Sequence, residues 1–216
     1  MTWIDMWRDR RATAAQQVVT TADWPSPDAD SNEPAPFLGV RYERAAIQEI
    51  DLCEATLEGC VFEACTFTAV RFNCATLTGS TFKDCRFAGC NWWDAVVTNC
   101  TMTGSAFERC DLSGLQVEAG DWSDVELLGA DLGTAEFTRV RMRGVNLSGA
   151  RCQGVVLRDA DLSGATLREA DFARADLRGS VLTAFDPREV ELRDAIITAD
   201  QAVDIALSLN LSVRAS

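Results

Sequence analysis

The side chains that could do chemistry in this chain are nine cysteines and thirty-three acids, and there is no histidine. Without histidine no Ser–His or Cys–His pair can form, which closes the usual route to an activated nucleophile. Surface carboxylates lack the shifted pKa that acid–base catalysis needs. Neither a phosphate-binding loop nor a dinucleotide fingerprint is present. No cofactor is implied, and the chain does not read as an enzyme. What remains is charge and thiols. A net charge of −13 disfavours direct binding to nucleic acid and suits a basic partner, or simple solubility.

The elements that position these groups follow from a period of five. Residues 160–179 read ADLSGATLREADFARADLRG, with a small residue opening each five and a large apolar residue at its centre. The central position runs without an insertion from Ile47 through Phe62, Phe82, Trp92, Phe107, Trp122, Phe137 and Leu162 to Leu182. Pro187 is the first misfit, and Leu192 and Ile197 resume the phase. A fixed repeat of this kind specifies a solenoid, because no single unit can bury its apolar face alone.

The pattern resembles that of the pentapeptide repeat proteins, A(D/N)LXX, over roughly residues 42–197. The resemblance implies an all-β, right-handed quadrilateral β-helix in which four fives make one square coil. About eight coils spaced ~4.8 Å apart would make a rod of roughly 35–40 Å. Residues twenty apart then stack, as in Phe62, Phe82, Met102, Trp122 and Met142. Aromatic residues concentrate in the earlier coils, which predicts a slightly wider shaft there.

The thiols fall into this frame. Cys60, Cys65, Cys85, Cys90, Cys100 and Cys110 all occupy the small inward slot, where cysteine serves as compact apolar filler. They read as reduced structural thiols, which places the chain in the cytoplasm. Inward slots on separate faces do not converge, so no zinc site is expected. Cys53 and Cys74 fall at outward positions; they read as reactive or as partly shielded thiols. No apolar run approaches a membrane span, and no signal peptide is visible.

Three regions follow. Residues 1–36 form an N-terminal extension, read as a helix over Met1 to Thr20 and then a Pro-rich linker over Trp24 to Pro36. The helix would cap the first coil or act as an arm for a partner. Residues 37–197 are the repeat. Residues 198–216 are a C-terminal helix and tail, with a capping box at Thr198 and Gln201 and an apolar stripe of Ala202, Val203, Ile205, Ala206 and Leu209. Together with Leu211, this stripe reads as a homodimer interface, or else as a cap over the last coil of a monomer. Tails of this kind join two rods tip to tip in the Qnr and MfpA group of quinolone-resistance proteins, which this tail resembles.

Outside the shaft, the residue before each central one is often Asp or Asn, which can hydrogen-bond turn backbone. Regional charge is more informative. Between Glu108 and Glu136 eight acids face Arg109 alone, and between Arg139 and Arg193 ten arginines face eight acids. Asp111, Glu118, Asp121, Asp124, Glu126, Asp131 and Glu136 form the candidate partner-binding belt, though a solvated face would look the same.

Resemblance to the Qnr and MfpA group implies a DNA-mimicking interaction protein. Such an acidic rod occupies the DNA-binding saddle of a type II topoisomerase, DNA gyrase or topoisomerase IV. It protects the enzyme from fluoroquinolones or other poisons, or modulates it. Two other readings stay open: a structural scaffold with an unrelated protein partner, and self-immunity against a topoisomerase-targeting natural product.

Overall fold

In the computed structural model the described residues are 18–19 and 37–214. The strands are short. They are β1 (Val18–Val19), β2 (Phe37–Leu38), β3 (Arg41–Glu43), β4 (Ala46–Gln48), β5 (Thr56–Glu58), β6 (Val61–Glu63), β7 (Thr66–Thr68) and β8 (Thr76–Thr78). They continue with β9 (Thr81–Lys83), β10 (Arg86–Ala88), β11 (Val96–Thr98), β12 (Ala106–Glu108), β13 (Gln116–Glu118), β14 (Glu136–Thr138) and β15 (Val156–Arg158). One helix, α1 (Ala199–Ser208), follows.

The strands stack as parallel sheets on three faces of a solenoid. One sheet runs β1-β4-β7-β10-β12, a second β2-β5-β8-β11-β13-β14-β15, and a third β3-β6-β9. Within the repeat the register is twenty residues, as in Phe62 with Phe82 and Val97 with Val117. The fourth face is a ladder of single bridges, Asp51–Arg71–Asn91–Asp111 and then Asp131–Arg151–Asp171–Glu191. Among the described residues no bridge joins Asp111 to Asp131. Instead the amide of Gly114 donates to the Thr134 hydroxyl at 3.0 Å.

The corners are sharp, and those that follow a single bridge are closed four-residue turns. On the fourth face the amide of Ala55 donates to the Leu52 carbonyl at 3.1 Å, and Glu54 takes a positive φ of 58°. That combination is a type II turn, in which only a left-handed third residue closes the bond.

The central residues fill the shaft. Phe62, Phe72, Phe82, Phe87, Trp92, Trp122, Phe137 and Leu162 are fully buried. In the earlier coils aromatic rings stack at the coil spacing: Phe67–Phe87 and Phe87–Phe107 both at 4.8 Å, and Phe72–Trp92 at 4.1 Å. Such a column gains ring–ring attraction beyond area burial.

The break at Pro187 has a physical remedy. Proline cannot fill the central slot, and Phe185, at the position otherwise kept small, turns inward and packs on Phe172 at 5.0 Å. Leu192 and Ile197 keep the phase but stay half-buried at the end of the stack.

At the other end, β1 corrects one expectation. The helix expected over Met1 to Thr20 does not extend through Val18–Val19, which pair in parallel with Ala46–Ile47. Two β-branched valines suit a strand, and this pair covers the otherwise open edge of β4, the kind of edge that needs covering. The rest of that segment, and the Pro-rich linker, lie outside the described residues.

Candidate interaction surface

The carboxylates divide by the job they do locally. Asp111, Asp121 and Asp131 precede central residues, and each accepts a backbone N–H two residues on: Ser113 at 3.0 Å, Ser123 at 3.0 Å and Gly133 at 3.3 Å. Asp161 and Asp171 do the same for Ser163 and Ala173. These side chains build the turns they sit in. Glu118, Glu126 and Glu136 make no such bond; they lie on strands or a single bridge and face solvent.

The sevenfold belt does not share one face. Asp111 and Asp131 lie on the bridge ladder, and Glu118 and Glu136 on the sheet of β13 and β14. Asp121 and Asp124 lie on the face that continues β9, and Glu126 on the face that continues β12. The acids therefore ring the rod.

Arginines from the next coil neutralise part of that ring. Arg139 pairs with Glu118, Arg141 with Asp121 and Arg151 with Asp131. Burial opposes ionisation of Asp121, but the Ser123 hydroxyl and amide and the Arg141 guanidinium outweigh it and lower its pKa. Arg151 beside Asp131 lowers that carboxyl likewise. The exposure of these pairs keeps each one's contribution near or below about 1 kcal/mol. Asp111, Asp124, Glu126 and Glu136 make no ion pair among the described residues, although Asn146 donates to Glu126 at 2.6 Å. This pairing of acids with arginines twenty or twenty-one residues on was readable from the repeat arithmetic.

The C-terminal tip is the second surface. Thr198 accepts from the Gln201 amide at 3.3 Å, and Gln201 Oε1 accepts from the Thr198 amide at 2.7 Å. Gln201 is itself buried, and its Nε2 donates to the carbonyls of Leu177 and Ser180, both at 2.7 Å. The helix is thus bolted to the last coil through a residue expected only to cap it. Of the stripe, Ile205 packs partly on the core. Ala206 is half-buried, and Ala202, Val203, Leu209 and Leu211 are exposed. Leu207, at 54% exposed, joins Val203 on the outer side, with Ile196 and Val213 nearby in sequence and also exposed. Sequence periodicity did not single out Leu207, although it lies one helical turn on from Val203.

The thiols sort as their positions dictate. Cys60, Cys65, Cys85, Cys90 and Cys100 are buried. They also donate to backbone: Cys85 Sγ to the Phe62 carbonyl at 3.4 Å and Cys90 Sγ to that of Phe67 at 3.5 Å. Ser105 does the same to Phe82 at 2.8 Å, so the small slot takes a donor as well as a filler. Burial pushes Cys100 up to about 11 and Cys152 up to about 12. Cys53 and Cys74 are exposed and border a hollow of about 330 Å³ with Arg71, Asn73 and Trp93. Among the described residues no three Cys, Asp or Glu side chains are grouped to hold a metal ion, and no helix is long and apolar enough to cross a membrane.

Comparison with known proteins fits this architecture. Residues 35–116 match the model of a pentapeptide repeat region, and residues 123–151 and 146–183 match that of pentapeptide repeats. No curated protein matches. Among solved structures, the chain is similar to a trypsin-treated variant of QnrB1, a plasmid-mediated fluoroquinolone resistance protein. The TM-score is 0.66 at 21% identity, covering 84% of this chain and 94% of that one. A second trypsin-treated QnrB1 variant matches at 22% identity and TM-score 0.48, covering 85% and 94%. HetL, a pentapeptide repeat protein involved in heterocyst differentiation regulation from the cyanobacterium Nostoc sp. strain PCC 7120, matches at 17% identity and TM-score 0.36, covering 76% and 87%. The period of five, the twenty-residue register and the matched models lead to one conclusion: this chain belongs to the pentapeptide repeat family.

Proposed function

We propose that this protein is a non-enzymatic DNA mimic that binds a type II topoisomerase, DNA gyrase first, and shields it from fluoroquinolones or other poisons. The carrying observation is the ring of acids on all four faces of a rod, with Asp111, Asp124, Glu126 and Glu136 left without an arginine among the described residues. A saddle that closes around duplex DNA touches more than one side of its ligand, and a one-sided patch would satisfy it poorly. Charge density supports the reading. The repeat, residues 37–197, holds 25 acids against 16 lysines and arginines, a net −9; along roughly 40 Å that is one net charge per ~4.4 Å, about 40% of the density of duplex DNA. That is enough to compete for a basic groove at moderate salt without matching DNA outright.

In this reading the coils wind right-handed, about eight in number, in a cytoplasmic protein with reduced core thiols. Two rods join through the exposed apolar side of α1, with Val203, Leu207, Leu209 and Leu211 at the centre of the contact. The resulting two-fold dimer suits a two-fold enzyme. A gyrase supercoiling assay with titrated protein, with and without a fluoroquinolone, tests the reading. Inhibition, or fewer drug-stabilised breaks, supports it. An inert rod against gyrase and topoisomerase IV from a matched source returns the protein to a scaffold role.

A further inference from the structure

Nine cysteines are present, and two of them stand apart. Cys53 and Cys74 are the two that are exposed. They occupy adjacent coils on the bridge-ladder face, where Asp51 bridges to Arg71, and both line the same hollow. Cys53 follows Leu52 directly, whereas Cys74 comes two residues after Phe72, so the two are offset by one residue along the turn. With ~4.8 Å between coils and ~3.8 Å for the offset, their Cα atoms lie about 6 Å apart. That falls inside the span a disulfide bridges, about 4.4–6.8 Å. The pairs Cys65–Cys85 and Cys90–Cys110 are also on neighbouring coils, but they point into the packed shaft, with Cys65, Cys85 and Cys90 buried and Cys110 half-buried.

We infer that Cys53 and Cys74 form a dithiol–disulfide site that exchanges with low-molecular-weight disulfides. The surroundings assign the roles. Partial desolvation first, then the Asp51 carboxylate, raises the Cys53 pKa and makes it the slower of the two nucleophiles. Cys74 sits on the left-handed corner of its turn, φ 55°, with its side chain exposed. The Cys74 thiolate therefore attacks one sulfur of the small disulfide, forming a mixed disulfide and expelling one small thiolate. Cys53 then gives up its proton to that leaving thiolate and attacks Cys74 Sγ. The second small thiolate departs and is protonated by water. Two protein thiols are oxidised, and one small disulfide is reduced to two thiols. The product ties the first turns of the bridge-ladder face together.

The test uses the full chain and oxidised glutathione, followed by native alkylation and peptide mapping without reductant. Trypsin cuts after Arg71, between the two cysteines, and Cys60 and Cys65 share the peptide with Cys53, so variants are needed. The wild type should yield a link between the Cys53 and Cys74 peptides that Cys53→Ser abolishes. Cys53→Ser should instead accumulate glutathione on Cys74, and Cys74→Ser should react at least about tenfold more slowly. A link that survives Cys53→Ser, separate glutathione adducts on both cysteines of the wild type, or no reaction would each overturn the inference.

Discussion

At the scale of the residue, two slots per five carry the fold, and both were legible. Large central residues and small partners could be assigned from spacing alone, because only a period of five puts them on one side of every turn. Phe87 shows what such a residue contributes. It stacks between Phe67 and Phe107 and meets Trp92 edge-on at 5.2 Å. Phe87→Ala should cost about 3–5 kcal/mol, read as a lowered midpoint in urea. Donor chemistry was less legible: nothing in the spacing says that Ser105 and the thiols of Cys60, Cys65, Cys85 and Cys90 also satisfy carbonyls of the preceding coil. Asp176 is a further case. Arg178 first, and then Arg158, hold this nearly buried carboxyl well below the usual range, against the opposing effect of burial. A depressed folded pKa means the stabilisation is fully present above the unfolded pKa of about 3.9 and is lost as pH falls below it. Asp176→Asn should therefore destabilise the protein at pH 7, and the gap from wild type should narrow as pH drops below 4. Denaturant melts at the two pH values read this directly.

At the scale of the element, the ends of the stack are where spacing runs out. Val18–Val19 sit in a stretch with helix-compatible apolar spacing, yet the unpaired edge of β4 offers hydrogen bonds that local preference cannot see. Pro187 marked a break correctly, but the compensating Phe185 became clear only from its contact with Phe172. The C-terminal capping box was readable in four residues. Thr198→Ala removes one half of it and should cost about 1 kcal/mol, seen as faster amide exchange confined to α1. Gln201→Ala should do more, because Nε2 also holds Leu177 and Ser180. The proposed dimer belongs to this scale too. Val203→Glu with Leu207→Glu places charge on an already exposed side, so the fold should survive and light scattering should report half the mass. A wild type that is already monomeric would remove that part of the account.

At the scale of the whole molecule, the acidic belt was visible as composition but not as geometry. Seven acids within thirty residues suggest a patch; a register of twenty winds them round four faces. The same register explains why charge and stability are partly separable here. Asp111, Asp121 and Asp131 hold their own turns, so reversing them would confuse partner loss with local unfolding. Glu126 and Glu136 hold none, and Glu126→Lys with Glu136→Lys should leave the melting midpoint close to wild type. The most direct measurement is displacement of labelled duplex DNA from gyrase by the titrated rod. The account predicts complete displacement that weakens as salt rises, and about tenfold weaker competition, ~1.4 kcal/mol, for the double charge reversal. A rod that binds gyrase while DNA stays in place, or that displaces DNA equally well after the reversal, would contradict it.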